Sequence, residues 1–429
     1  MISEHASPMA AVGHVDSGGQ NVYVAHLARQ LADEGHQIDV FTRRDSMDQA
    51  EVVAWHPRIR VIHVTAGPPC FVRKEELLDH MPAFTSFVYN FMLRDRVHYD
   101  LVHANFWTSG LVALQLKELL NIPYVITFHA LGAVRRMHQK EQDGFPASRE
   151  EIERRVGEGA DLVIAECPQD CEDLTRLYGV DAARIAMIPC GFDPEEIWPV
   201  TKAAARAQLG IGAEEKVVLQ LGRMVPRKGV ETAIQGVAHL HKNHGLRTRL
   251  VVVGGEIEGD SCDAAEVARL SVIANKEGLR EHVSFVGRKD RHELKYYYSA
   301  ADVFITLPWY EPFGITPLEA MACRLPVVGS NVGGIRHTVR HGISGLLVPP
   351  KNPALAGEAL ASLFNEPSLL QKYGQEGFRR VHQHFTWRAV SDRMAKAYER
   401  VIGGRAAMLQ ASRRNSRNFA KTYDRVSVH

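Results

Sequence analysis

Short runs of β-branched and other apolar residues alternate with helix-period patterns along this chain, and the alternation happens twice. The first series places strands at residues 38–42, 59–64, 100–105, 123–129 and 161–166; the second places them at 216–223, 249–255, 282–287, 302–308 and 326–330. Strands separated by helices cannot close as hairpins, so they must pair in parallel with helices covering the sheet. The pattern predicts an α/β chain of two doubly wound domains that face each other across a cleft. It pauses near Pro189–Asp193, which predicts an N-terminal domain of 1–192 and a C-terminal domain of 193–385. A last helical pattern, 386–404, opens on Thr386 as a plausible N-cap and is expected to return to the first domain. Residues 405–429 are basic and poorly patterned, as in a solvated tail. The first strand is the irregular feature: only Met1-Ile2-Ser3 stand where it should run, so it is expected to be clipped.

Two cores suit a length of 429 residues. Lys and Arg number 51 against 50 Asp and Glu, which gives no net charge to recruit nucleic acid or a membrane surface. An anion must therefore be bound by a local cluster. There is no apolar run of the ~18 residues a membrane span needs, and no secretory pattern precedes the six cysteines, so reduced thiols and a cytoplasmic location are expected. Cys167 and Cys171 lack a second Cys/His pair and read as two thiols on one helix.

Open parallel sheets bind ligands beyond the carboxyl ends of their strands, where free amides and helix N-termini favour anions. Three loops have that address. Gly18-Gly19 precede a helix whose apolar face is Val24, Leu27, Ala28 and Leu31, and the glycines let backbone approach a ligand. The loop 222-GRMVPRKG-229 sets Arg223 and Lys228 over the start of a helix, a cationic pair fit for a diphosphate. The third is 308-PWYEPFGITPLEAMACRLPVVGS-330, in which Pro317 suits N1 of a helix with Glu319 in its first turn and Glu311 ahead of the turn. Carboxylates at both positions can accept hydrogen bonds from sugar hydroxyls.

With 311-EPFGITPLE-319, 222-GRMVPRKG-229, 18-GG-19 and 127-TFHALG-132 in that arrangement, the chain resembles the retaining glycosyltransferases of family four, over roughly residues 3–402. The resemblance implies the GT-B architecture of two facing Rossmann-like domains, with the nucleotide sugar on the C-terminal one. Carried over by position, it implies that Arg223 and Lys228 hold the donor diphosphate with the Gly19 amide. Glu311 and the amides of Phe313, Gly314 and Ile315 would bind the donor sugar, and Glu319 the ribose. The base would lie near 284-SFVGRK-289, including Arg288, and His129 beside the reacting centre. It also implies no metal and no cofactor, since no Asp-x-Asp stands at a strand end, and no covalent glycosyl-enzyme.

The N-terminal half resembles a narrower group: sucrose-phosphate synthases, sucrose synthases and the transferase acting on inositol phosphate. The shared stretches are 16-DSGGQNVYV-24, 41-FTRRD-45, 66-AGPPCFVRKEEL-77, 103-HANFWTSG-110 and 124-YVITFHALGAVRRMHQ-139. This group implies an acceptor site of Gly19, Gln20, Asn21, Lys74 and Arg149. Phe106 and Ala130 stand where the inositol phosphate enzyme has a tyrosine and a threonine. The expected reaction is glucose transfer from UDP-glucose or ADP-glucose to fructose 6-phosphate. Inositol phosphate is the first alternative. A surface polysaccharide or lipid acceptor is another, for which 131-LGAVRRMHQK-140 would be the membrane-facing stretch. A dinucleotide-dependent dehydrogenase is the alternative of another class, although no G-x-G-x-x-G follows a strand.

Overall fold

A computed structural model describes residues 1–10, 18–257, 259 and 261–405. Asp16, Ser17 and residues 406–429 of the expected tail lie outside the described residues. The N-terminal domain holds β1 (Ile38–Arg43), β2 (Val52–His56), β3 (Ile59–Val64), β4 (Val102–Asn105), β5 (Tyr124–Thr127), β6 (Leu162–Ala165) and β7 (Ile185–Met187). The C-terminal domain holds β8 (Val217–Leu221), β9 (Arg249–Val253), β10 (Val283–Phe285), β11 (Val303–Thr306), β12 (Val327–Ser330) and β13 (Gly345–Val348).

The C-terminal sheet runs β10-β9-β8-β11-β12-β13 with every pair parallel. This doubly wound order reverses between β8 and β11, so a crevice opens outside the carboxyl ends of those two strands. The N-terminal strands repeat the scheme around a minimal centre. Met1–Ser3 lies between β1 and β4, with Ile2 bridged to both Phe41 and Ala104. Its backbone bonds run from Ile2 N to His103 O (2.9 Å) and from Ser3 N to Phe41 O (3.0 Å). Three residues thus join β1-β3-β2 to β4-β5-β6-β7. The all-parallel expectation fails at β2, which pairs antiparallel with β3. It is a half-exposed edge, VVAWH, joined to β3 through the short Pro57-Arg58 turn, and a turn that tight can only make a hairpin.

Why the helices lie where they do follows from their faces. In Val230–His244 the residues Val230, Ala233, Ile234, Val237 and Leu240 fall on one side and are all buried. One apolar cluster fills the N-terminal domain and another the C-terminal domain, while a third runs through both and contains Phe192, Phe385, Trp387 and Met394. The chain crosses between domains twice, and the crossings clasp: Phe192 N bonds to Phe385 O (2.8 Å) and Trp387 N to Phe192 O (3.1 Å). The helix at 387–405 follows, capped by Thr386 Oγ1, which accepts from Ala389 N (3.2 Å). It lies on the N-terminal domain, where Tyr398 Oη meets His103 Nδ1 at 2.5 Å. The molecule is thus the expected α/β pair of facing doubly wound domains, with the two sheet-end crevices opposed.

Candidate active site

On the C-terminal side, the loops after β8 and β11 interlock at the crevice. Gly229 has φ 71°, and a Cβ there would come within 1.8 Å of Leu307 O, so only glycine lets the cationic loop close on the strand end. Lys228 is thereby brought onto Glu311, with which it forms a short ion pair. Arg227 approaches the same carboxylate at 4.0 Å and lies over the Tyr310 ring at 5.2 Å. Burial penalises charge on Glu311, yet the adjacent Lys228 and Arg227 outweigh it and hold the carboxyl below the usual carboxylate range. Burial also pulls the Lys228 ammonium down, opposed by Glu311. Arg223 is exposed.

The loop 311–314 is shaped from a direction the sequence reading missed. Gly333 and Gly334 begin a helix packed against it: a Cβ on Gly333 would meet Glu311 O at 2.0 Å, and one on Gly334 would meet Phe313 O at 2.2 Å. Two glycines opening a helix after β12 were the available signal. The helix Ile315–Ala322 begins two residues before the expected N1, so Pro317 is its third residue and Glu319 lies beyond the first turn. Proline is tolerated there because first-turn N–H groups have no intrahelical acceptor.

Across the cleft, the helix Gly19–Asp33 points its N-terminus at this assembly. A Cβ on Gly18 would lie 4.0 Å from Arg223 Cδ, and one on Gly19 would lie 3.8 Å from Ile315 Cδ1. Two helix N-termini, Arg223 and Lys228 therefore converge, an arrangement that favours an anion. Arg288 is exposed on the loop after β10, its N–H bonded to Gly255 O at 2.8 Å.

His129 stands at the end of β5 in the left-handed region, φ 58°, and Phe106 at the end of β4 has φ 86°. Such backbone costs free energy in non-glycine residues and must be held by its surroundings. His129 is nearly buried: Nε2 lies 3.1 Å from Asn105 Oδ1, Nδ1 lies 3.4 Å from Glu166, and the Tyr23 ring meets its face edge-on at 4.8 Å. Asn105, Glu166 and Tyr23 were not singled out from sequence, since single polar residues in apolar strands and helices carry no local signal. Glu4 was missed for a similar reason. It is buried beside His5 (2.7 Å) and receives short hydrogen bonds from Thr108 and Ser109. Burial works against its charge, but His5 and those hydroxyls hold it below the usual carboxylate range.

Several expected site residues occupy other settings than an open cleft. Asn21 is buried, its Oδ1 accepting from Gly18 N (2.9 Å) and its Nδ2 donating to Ser7 O (2.9 Å), so it shapes the loop. Gln20 Nε2 donates to Ser3 Oγ (3.1 Å) and Asn105 O (3.2 Å). Lys74 starts a short 3-10 turn, Lys74–His80, and is half-buried. Arg149 is fully buried, against the expectation of a cation open to the cleft: Nε bonds Glu153 at 2.7 Å and Nη2 bonds Ala130 O. Its guanidinium stacks near Phe145 (4.3 Å) and Phe106 (5.1 Å), and Nη1 has no hydrogen-bond partner. Phe106, Ala130 and Arg149 are thus neighbours. Glu319 is 1% exposed, with its oxygens taken by Arg291 Nη2 (3.0 Å) and Tyr298 Oη (2.8 Å). Arg291 also holds Glu196 at 2.7 Å, so Glu319 belongs to a buried network rather than to a free pair of acceptors.

The stretch 131–140 does not form a free basic face. Arg135 pairs with Asp143 (2.9 Å), Arg136 with Glu150 (3.0 Å), and His138 stacks on Tyr310 of the other domain at 4.8 Å. Among the described residues, no helix is long and apolar enough to cross a membrane.

Residues 17–196 match the family described as Glycosyltransferase Family 4, and residues 201–380 match Glycosyl transferases group 1. D-inositol 3-phosphate glycosyltransferase of Corynebacterium jeikeium is 35% identical over 93% of this chain and 96% of its own. The enzyme of that name from Kineococcus radiotolerans is also 35% identical, over 95% and 96%. Among solved structures, sucrose-phosphate synthase from Thermosynechococcus elongatus superposes with a TM-score of 0.86 at 36% identity, covering 94% of this chain and 98% of that one. These likenesses leave no place for the dehydrogenase alternative: the chain belongs to glycosyltransferase family 4 and has the GT-B fold.

Proposed function

We propose that the protein is a retaining glycosyltransferase that moves glucose from UDP-glucose or ADP-glucose to a small phosphorylated polyol, with fructose 6-phosphate as the acceptor. The observation that carries this reading is the convergence of Arg223, Lys228 and two helix N-termini on one point of the cleft. A nucleotide diphosphate leaves as an anion, and fixed positive charge and dipoles stabilise it without reorganising. The acceptor hydroxyl attacks from the face the diphosphate leaves, forming the new glycosidic bond and passing its proton to the departing diphosphate oxygen as the old bond from the anomeric carbon breaks. Glu311, tied to Lys228, then serves as a hydrogen-bond acceptor for the sugar hydroxyls and not as a nucleophile. The amides of Phe313 to Ile315 and of Gly19 complete the donor site, Arg288 lies towards the base, and His129 lies beside the anomeric carbon. Glu319 holds the ribose side of the site through Arg291 and Tyr298.

The acceptor phosphate is assigned to Lys74 and Arg149, on the domain formed by 1–192 with 386–404. Support comes from the unpartnered, buried Arg149 Nη1 and from a 36% identical relative named sucrose-phosphate synthase. An inositol phosphate is the second reading, favoured by the relatives named D-inositol 3-phosphate glycosyltransferase. Both acceptors are phosphorylated polyols, so the shared prediction is a requirement for the phosphate. Nucleotide release should be measured with UDP-, ADP- and GDP-glucose and UDP-N-acetylglucosamine against fructose 6-phosphate, free fructose and inositol phosphates. Fast release only with a phosphorylated acceptor supports the proposal; equal use of fructose and fructose 6-phosphate overturns it.

A further inference from the structure

Far from the cleft, the helices Val230–His244 and Pro353–Asn365 are pressed together at glycines. A Cβ on Gly236 would lie 3.1 Å from Ala356 Cβ; one on Gly357 would meet Gly236 O at 2.8 Å and His239 Cδ2 at 2.7 Å. Backbones this close fix the register of the side chains they carry, and the His239 ring lies over Gly357. Next to it, His239 Nε2 and His244 Nε2 stand 2.8 and 3.0 Å from a single oxygen of Glu358. All three donor atoms lie within 4.8 Å of one another.

We propose that His239, His244 and Glu358 bind a divalent transition-metal ion of the zinc type, which clips the two helices together outside the transferase site. Two imidazole nitrogens and one carboxylate oxygen are donors that zinc accepts, with water completing the shell. At metal–ligand bonds of roughly 2.0–2.1 Å, tetrahedral donors stand ~3.3 Å apart, so Glu358 must withdraw by a few tenths of an ångström and the two imidazole nitrogens, now within 4.8 Å, must take that spacing. The nitrogens now engaged with Glu358 release any proton they carry as the ion takes its place. Asn243 Nδ2 lies 3.0 Å from both ring nitrogens of His239, so it faces the ring and takes neither nitrogen's in-plane position. His244 ends its helix, where the dipole favours positive charge.

The other two clusters of this kind among the described residues are differently occupied. His26 faces Asp193 with Nδ1 and Glu196 with Nε2, each at 3.5 Å, so its carboxylates address opposite sides of the ring, and Arg291 already holds Glu196. In the cluster of Asp290, His292 and Glu293, the Asp290 and Glu293 side chains cap a helix start. At about 1.5 Å rise per residue, His239 and His244 lie well beyond the cleft end of their helix at Val230. The ion would therefore act on stability and leave turnover alone.

Full-length protein stripped with a chelator and then dialysed should be titrated with Zn²⁺ at pH 7.5 against a chromophoric competitor, with Co²⁺ absorption as a second probe. We expect one ion per chain at low-micromolar or tighter affinity and a rise in Tm. His244→Asn and Glu358→Gln should each weaken binding by about tenfold or more and remove the Tm rise, with transferase turnover unchanged. Wild-type protein that binds no Zn²⁺ below about 100 µM, or a His244→Asn/Glu358→Gln double variant that binds it as wild type does, overturns the proposal.

Discussion

The two sheets share one winding order, yet they present charge in opposite ways. At the C-terminal crevice, Arg223 is exposed and Lys228, Arg227 and Glu311 form a cluster that is cationic overall. At the N-terminal crevice the charges lie below the surface and are matched one to one: Arg149 with Glu153, Arg135 with Asp143, Glu4 with His5 and two hydroxyls. Surplus charge suits a diphosphate whose negative charge grows as it leaves. Matched, buried charge fixes the position of the unpartnered Arg149 nitrogen assigned to the acceptor phosphate, because buried ion pairs set geometry more than they stabilise.

The largest effect should come from breaking the surplus. Lys228→Ala should lower turnover about 10² to 10³-fold, the usual scale for removing one group that meets developing negative charge. It should also destabilise the fold by leaving Glu311 with only the distant Arg227. The double variant Lys228→Met/Glu311→Gln separates these effects: Tm should recover and turnover should not. Arg223→Ala should reduce turnover with Tm unchanged, since that side chain is exposed. Wild-type turnover in either single variant would remove the donor site from this loop.

Next in size is the contrast between two glutamates of one motif. Glu319→Gln leaves the partly buried Arg291 with Glu196 as its remaining anion, and breaking a fully buried pair costs about 3–5 kcal/mol, an upper bound here. Thermal unfolding should therefore show a Tm loss of several degrees, with weaker UDP binding by calorimetry. Glu311→Gln should keep UDP affinity and lose turnover. If Glu319→Gln is as stable as wild type, the network does not hold the donor side.

How much was legible in advance divides along the same line. The parallel strands of both domains, the crevice loops and the cationic pair were readable because periodicity and glycine placement are local. The short first strand expected at Met1–Ser3 is found there, bridged to Phe41 and Ala104. Two features were not read: strands β7 and β13, and the buried settings of two charged residues. The burial of Glu319 and Arg149 depends on Arg291, Tyr298, Glu153 and Ala130, and their approach is a tertiary fact that spacing does not encode.

A smaller effect tests the matched side. Arg149→Lys keeps a cation for Glu153 but loses the planar fork that reaches Ala130 and carries the unpartnered nitrogen. The Michaelis constant for the phosphorylated acceptor should rise about tenfold, a loss of about 1.4 kcal/mol, with that for the nucleotide sugar unchanged. An equal rise in both would mean that Arg149 supports the fold and not the acceptor.

The last comparison sets two carboxyls against each other as pH changes. Glu196, between the domains, is opposed by burial, but His26 and Arg291 draw it down to about 2. A depressed carboxyl contributes stability that is present above its unfolded value near 4.5 and is lost as pH falls towards 2. Asp170 is the reverse case. Burial, then the charge of Glu166, push it up to about 7. The folded state then keeps a proton that the unfolded chain has already released, so stability declines as pH rises from about 4 to about 7, by at most about 1.4 kcal/mol per pH unit. Glu196→Gln should therefore lower Tm at pH 7 and lower it less at pH 3. Asp170→Asn retains an oxygen for the Glu166 N–H now accepted at 3.0 Å, so it should match wild type at pH 3 and exceed it increasingly from pH 5 to pH 8. Thermal denaturation of both variants at pH 3, 5, 7 and 8 reads the two slopes separately, and an Asp170→Asn variant that loses stability at pH 8 would show that its carboxylate is stabilised in the fold as an anion.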